Sequence, residues 1–404
     1  MTPLAPARQP ASLRGPVFPL LAGLVFVIPW EGMVWFKGVG SLPKAVGVVV
    51  IAVAALELIR HGRVRGLVDP HVLLLAFAGW AAVSYFWSIE PDRTFDQLLT
   101  VGQLAAMVLL VWEFTDGRLG YRVLLGAFVS GCAVVAGATI IGYATGTVDL
   151  DRYTASEAVH PNAVGFVVGL AIPFAWYLWA TTERPWLRRL FALYLPVAVV
   201  AVVLTGSRGG AVTTMIALLV VPFTARALPS SGRVALVVGV GTCVVLLPSV
   251  LPEGPVDRLS TTSDEIEGGD LNGRRELWDA ATEIFWDRPV GGVGAGASRF
   301  AIEPLTGRQA GAHNSFLSIA AELGTVGLAL FGLLLLAVGR RTISLGSLEG
   351  RTAAITIVAL VAGLTIRHWE YDKPTWLTLA LLIGLATTRT ESPTTPLPAE
   401  AVAA

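Results

Sequence analysis

The sequence predicts an all-α polytopic membrane protein. Three observations predict it: 54% of the 404 residues are hydrophobic with the 43 glycines counted apart, only 14% are charged, and the mean hydropathy is +0.67. A soluble domain carries about 25% charged residues, so a soluble globule is excluded. Apolar runs of about 18–25 residues recur from end to end, the length a helix needs to cross about 30 Å of hydrocarbon, where no solvent can satisfy an open backbone group. The 29 basic and 29 acidic residues cancel, so no bulk charge draws nucleic acid. The two cysteines, Cys132 and Cys243, fall inside apolar runs and read as small hydrophobes, implying neither a disulfide framework nor a metal cluster.

The elements follow in order. Arg8 and Arg14, in a cytoplasmic tail over 1–16, precede an apolar stretch that starts at Val17 and continues past Trp30 without a small-residue cleavage site. That pattern fits an uncleaved first span better than a secretory signal. About twelve spans are expected, at 17–36, 43–59, 71–88, 97–114, 122–144, 161–181, 190–206, 209–225, 234–251, 314–339, 352–366 and 374–388. A loop over 252–312 separates spans nine and ten and is far longer than an ordinary helix connection. The tail over 389–404, rich in Pro, Thr and Ala, is expected to be disordered.

Orientation follows from the basic residues, all but three of which are arginine, a bias typical of GC-rich bacterial coding. With the N-terminus inside, about sixteen Lys and Arg fall on cytoplasmic connections and about seven on the short outer ones, as the positive-inside rule requires. The outer set is Lys37, Lys44, Arg93, Arg152, Arg208, Arg367 and Lys373. Both termini are then cytoplasmic, the long loop is extracytoplasmic, and any chemistry is expected on the outer face of a bacterial cytoplasmic membrane.

Candidate residues cluster on that outer side. Thr205-Gly206-Ser207-Arg208-Gly209-Gly210 joins two spans with almost no loop, which sets Arg208 at the membrane surface. It reads either as an interfacial anchor or as an anion ligand, with the glycines opening the backbone N–H groups of the next helix. In the long loop, residues 272–286 have helical periodicity, with Asn272 as N-cap and Pro289 as stop. Leu277, Trp278, Ala281, Ile284 and Phe285 form an apolar face fit to lie on the membrane surface. Arg275 points away and can pair with Asp279, whereas Arg274 falls on the apolar side. The run Gly291-Gly292-Val293-Gly294-Ala295-Gly296 lacks the preceding strand of a dinucleotide fingerprint and reads as a flexible connector. His313, at the mouth of the tenth span, is the side chain best suited to take a proton near neutrality, although most lone histidines are structural. Glu322 lies about 180° round that helix and more than a turn deeper, too far to orient His313. Further outer polar groups are Trp87 to Pro91, Arg152 with His160, Pro161 and Asn162, and the loop from Arg367 to Lys373. Glu370 and Asp372, beside aromatic rings in that loop, are a candidate acceptor-sugar site, and each of these stretches could equally mark a membrane interface.

In order, Ser88 to Pro91, Pro161-Asn162-Ala163-Val164-Gly165, Ser207-Arg208-Gly209, Gly273-Arg274 with Trp278, Pro289 to Phe300, and His313-Asn314 followed by Ala321-Glu322-Leu323-Gly324 resemble the O-antigen ligase and O-antigen polymerase superfamily. The resemblance covers most of the chain. It implies a C-type glycosyltransferase membrane fold and inverting, metal-independent transfer from a polyprenyl-pyrophosphate-linked glycan to a glycan or glycolipid acceptor. It implies no cofactor. By motif, Arg208 and Arg274 would bind pyrophosphate and His313 would be catalytic, as base or as pyrophosphate ligand. Arg152, Asn162, Asn314, Glu370 and Asp372 are possible substrate-binding residues. Ligase and polymerase are not separated. The competing class is a transporter or flippase for a lipid-linked or anionic substrate, for which about twelve spans with both ends inside is common. Candidate residues on one face and the lack of an evident repeat weigh against it.

Overall fold

The structure, a computed structural model, describes residues 15–62, 64–146, 152–156, 159–225, 254–255, 273–343 and 348–387. It is an all-α bundle. The helices, in chain order, are α1 Val17–Val27, α2 Leu42–His61, α3 Asp69–Val83, α4 Pro91–Phe114, α5 Gly117–Thr145, α6 Pro161–Leu170, α7 Ile172–Thr181, α8 Pro185–Leu204, α9 Arg208–Leu218, α10 Val220–Thr224, α11 Arg274–Asp287, α12 Ser298–Thr306, α13 Ser315–Ile343, α14 Leu348–Ile366 and α15 Lys373–Thr387. Among the described residues eight helical stretches are long and apolar enough to cross a membrane, and Val17–Trp30, Arg208–Thr224 and Lys373–Thr387 are shorter apolar helices. Eleven of the twelve expected spans are thus helical, and the one at 234–251 lies outside the described residues, as do both terminal tails and most of the loop before Gly273.

Proline accounts for most boundaries that differ from expectation. Pro91 and Pro185 each open a helix ahead of the expected start, where the missing N–H costs nothing and φ is preset, and their polar first turns escape a hydropathy window; Pro161 opens α6 at the expected residue. Pro29 sits in a 3-10 turn that ends the first span at Trp30, and a two-stranded hairpin pairing Trp35 with Ser41 follows. Pro173 divides the stretch 161–181 into α6 and α7. That stretch is the centre of the bundle, with 83% of its most apolar window buried, whereas α2 at the edge is 17% buried.

Lipid offers no hydrophobic drive for helix association, so the centre is assembled by small residues that let backbones approach. α6 packs most extensively on α9. A Cβ on Gly210 would stand 2.7 Å from the Gly165 Cα, and one on Gly169 2.6 Å from Thr214 Oγ1. These contacts run in register, so α6 and α9 are parallel and their N-termini lie at one end of the bundle. Gly209 meets Ile366 at the close of α14, which brings that C-terminus to the same end.

α13 is broken. Gly324 has φ 64° and ψ −163° inside it, and the glycine run passes through the break. Val293 N–H donates to Ala321 O, Gly294 N–H to Glu322 O, and Thr325 N–H to Pro289 O. On its other side Ile89 N–H donates to Val293 O, Trp87 Nε1 to Gly291 O, and Ala295 N–H to Ser84 Oγ. The run is therefore a pinned crossing, which corrects its reading as a flexible connector. Gly292, Gly294 and Gly296 hold positive φ, and a Cβ on Gly294 would collide with Ser88; only glycine meets both demands.

The amphipathic helix is corrected likewise. In α11 the buried residues Leu277, Ala280, Ala281 and Ile284 join Val293, Ile302 and Ala321 in one cluster, so its apolar face covers α12 and α13 and does not lie on a lipid surface. Trp286, by contrast, is 70% exposed. Asn272 lies outside the described residues, and Gly273, with φ 70°, occupies the N-cap position. Among the described residues Glu276 of this helix pairs with Arg308 of the segment after α12, and Arg275 does not pair with Asp279.

Candidate functional site

The site is built where helix N-termini and a C-terminus meet. At α9, Ser207 caps the helix by accepting from Gly210 N–H at 3.1 Å, and Arg208 is the first helical residue, half-buried. At α11, Arg274 is the first helical residue and donates from Nη1 to Ile366 O at 3.2 Å. Ile366 therefore links the two arginines: its side chain lies against Gly209 and its carbonyl holds Arg274.

At α13, Asn314 Oδ1 accepts from Phe316 N–H at 2.9 Å and Leu317 N–H at 3.2 Å, so this predicted substrate residue caps its own helix. His313, immediately before it, has φ 50° and is the one non-glycine residue at positive φ among those described. An L-residue held in the left-handed region is a strained position of the kind that clusters at functional sites. Ser315 Oγ donates to Arg367 O and accepts from Trp369 N–H, fastening the α14–α15 loop to the start of α13. His368 is thereby set beside His313, ring centroids 5.0 Å apart. Trp369 stacks on Phe166 of α6 at 4.9 Å and 5°.

At α6, Arg152 donates from Nε to Thr205 O at 2.9 Å and from Nη2 to Asn162 Oδ1. Two residues predicted separately are thus one unit, tied to the turn that carries Arg208. His160 caps α6 by accepting from Asn162 N–H on Nδ1 at 3.1 Å, and its Nε2 lies 3.5 Å from Arg367 Nη1.

The structure therefore brings Arg152, Asn162, Arg208, Arg274, His313 and Asn314 to one end of the bundle, and adds His160, Arg367 and His368. Glu370 is withdrawn, 3% exposed, with its carbonyl accepting from Trp376 Nε1. Burial pushes its carboxyl well above the usual range, with Glu322 adding to the shift. Asp372 is raised to about 6 by burial and by Glu31. Glu322 accepts from Gly296 N–H, Ser298 Oγ and Tyr371 O–H, so it knots the glycine crossing, α12 and the α14–α15 loop together.

Burial and then the charges of Arg367 and Arg274 press His313 down to about 4. His160 falls to about 4 by burial first and Arg367 second, and His368 to about 3 by burial first, then His313 and Arg367. All three imidazoles are neutral at pH 7. Among the described residues no group of three His, Cys, Asp or Glu is arranged to hold a metal ion. The arrangement can bind an anion between guanidiniums and offer it a neutral base.

A cluster of arginines and imidazoles thus stands at one end of an all-α polytopic membrane bundle. Residues 193–332 match the O-antigen ligase family. The match covers about a third of the chain and makes that segment similar to a family of glycosyltransferase-type membrane enzymes of polysaccharide biosynthesis. The matched segment holds Arg208, Arg274 and His313. No curated protein sequence matches the chain.

Proposed function

We propose that the protein transfers a polyprenyl-pyrophosphate-linked glycan, or polymerises it, onto a sugar hydroxyl of a glycan or glycolipid acceptor at the outer face of the cytoplasmic membrane. The bundle has twelve spans in this reading, the ninth at 234–251, with both termini cytoplasmic and the loop over 252–312 extracytoplasmic. The observation that carries it is the convergence of Arg274, Arg367 and a neutral His313, with Arg208 joined through Ile366.

Arg208 and Arg274 hold the diphosphate, whose negative charge grows as its bond to the anomeric carbon lengthens; fixed cations in a half-buried site stabilise that charge. The acceptor oxygen forms the new bond to the anomeric carbon from the opposite side, which inverts it. The C–O bond to the diphosphate breaks with both electrons leaving on the polyprenyl diphosphate. The hydroxyl proton passes to the imidazole of His313 and from there to water. A neutral imidazole can take that proton whereas an imidazolium cannot, which favours the base over the cationic-ligand role. Arg152 and Asn162, locked as a pair, form the wall toward the glycan. Asp372 stands at the acceptor side of the loop, while burial leaves Glu370 acting through the loop's shape.

The test is the purified chain in lipid nanodiscs with a lipid-linked glycan donor and a glycan acceptor. Formation of an inverted glycosidic bond is expected, and donor that crosses a bilayer unaltered, with no bond formed, would replace this reading with transport. In cells lacking the gene, single repeat units accumulating on the carrier would assign polymerase, and full-length polymer stranded there would assign ligase.

A further inference from the structure

Arg367 and His160 face each other across 3.5 Å, and their chemistry makes this contact unusual. A neutral imidazole has one bare nitrogen and one N–H. Asn162 N–H donates to Nδ1 of His160, which takes the bare nitrogen, so Nε2 carries the hydrogen. Nε2 then points an N–H at a guanidinium that has only N–H groups to offer. Two donors face each other and neither supplies an acceptor.

The rest of the Arg367 environment agrees. Its Nε is buried and has no hydrogen-bond partner among the described residues, an omission that burial makes costly. No carboxylate comes within ion-pair distance of it among the described residues; Asp372, the nearest acid by its electrostatic effect, is opposed by Arg274. The guanidinium stands 5.3 Å over the Trp369 ring. Its backbone is fixed at both ends, N–H to Gly363 O and carbonyl from Ser315 Oγ. A cation held this firmly beside Arg274 and His313, with a buried Nε–H left without an acceptor, is set to receive an oxyanion.

We infer that Arg367 and His160 form a second donor pair for the diphosphate, opposite the Arg208 and Arg274 pair, with Arg367 presenting Nε–H and Nη–H and His160 presenting Nε2–H to its oxygens. The inference rests on the reading above, since it names two further ligands of the same substrate group. Arg152 and Asn162 fix the tautomer of His160 at second hand, because Asn162 supplies the N–H that occupies Nδ1. A diphosphate has oxygens enough for both pairs; a lipid headgroup with one phosphate has not.

The experiment measures binding of inorganic pyrophosphate and of orthophosphate to the full chain in phosphatidylcholine nanodiscs, by calorimetry, for the wild type, Arg367→Gln, His160→Phe, Arg208→Ala and Arg274→Ala. Loss of one charge-assisted donor set is expected to weaken pyrophosphate about 10- to 100-fold for Arg367→Gln, and several-fold for His160→Phe, with orthophosphate bound more weakly throughout. Weakening by Arg208→Ala and Arg274→Ala with no change in Arg367→Gln and His160→Phe would overturn this inference and leave the proposed function standing. No change in any variant would overturn both. Equal affinity for orthophosphate, with equal sensitivity to Arg367→Gln, would assign the pair to single phosphates and overturn the diphosphate assignment. Should Arg367→Gln fail to fold, phenylglyoxal labelling of Arg367 in the wild type, read by mass spectrometry, decides: saturating pyrophosphate protects it, and undiminished labelling contradicts the inference.

Discussion

The two ends of the bundle hold their arginines differently. At the end formed by the starts of α3, α5 and α14 and the close of α13, guanidiniums meet carboxylates: Arg118 lies 3.0 Å from Glu349 and Arg341 3.3 Å from Asp69. Glu349 also accepts from Tyr177 O–H, so that pair stitches α5, α7 and α14. At the site end, Arg152 donates to a carbonyl and an amide oxygen, Arg274 to a carbonyl, and Arg367 meets an imidazole. Among the described residues, ion pairs at this end join Arg308 with Glu276 and Lys373 with Glu31. A neutral acceptor fixes where a guanidinium points without cancelling its charge. A carboxylate fixes it and cancels it. The first arrangement suits a ligand-binding cation and the second a structural one, and the same residue type serves both.

Substitutions at the two ends should diverge most in rate. Arg274→Ala is expected to lower glycan transfer about 10²- to 10³-fold, the scale of removing one electrostatic donor to a developing anion. Arg341→Ala at the other end should keep transfer within about twofold of wild type, since an exposed pair contributes at most about 1 kcal/mol. Reconstituted transfer assays read both, and equal losses would erase the distinction between the ends.

Next in size is the crossing that supports the site end. Gly324→Ala puts a Cβ onto the Val290 carbonyl at a backbone conformation that L-residues avoid. Strain of about 1–3 kcal/mol from the backbone alone should appear as a lowered thermal midpoint in detergent. Gly332→Ala in the same helix, with open space at that position, should leave the midpoint unchanged or raise it. A Gly324→Ala midpoint equal to wild type would mean that the break in α13 is not needed.

The pH dependence sharpens the electrostatic side of the comparison. Burial and the nearby arginines disfavour imidazolium at His313, so in the free enzyme the base stays neutral as pH falls past the ordinary 6.5 and is protonated only near about 4. The acid limb of kcat/KM is expected there. Bound diphosphate favours the imidazolium, so the acid limb of kcat should lie at higher pH than that of kcat/KM. A kcat/KM limb at 6.5 or above would show that the cations do not act on His313. The smallest effect is expected from a double-mutant cycle on Arg118 and Glu349, about 0.2–1 kcal/mol in stability with transfer unaffected.

Much of this was legible in the sequence. Hydropathy located eleven helices, because a lipid-facing helix must be apolar along its length. Alternation of the spans grouped Arg152, Arg208, Arg367 and Lys373 on one side, and the structure gathers them at one end. Periodicity found the apolar face of α11 but not its partner, since lipid and protein want the same side chains. The glycine crossing escaped because its reason lies about 200 residues away, in Ser88 against Gly294. Glu370 read as a surface acid because its loop is short and polar, although its side chain turns inward. Nothing local marks His160 and Arg367 as partners; their relation depends on which imidazole nitrogen Asn162 occupies.

The most direct test is the rate of glycosidic bond formation by the reconstituted chain carrying His313→Ala or Arg208→Ala, set beside Arg118→Ala. The account predicts losses of at least about 100-fold for the first two and near-wild-type transfer for the third. Near-wild-type transfer by both His313→Ala and Arg208→Ala would contradict it.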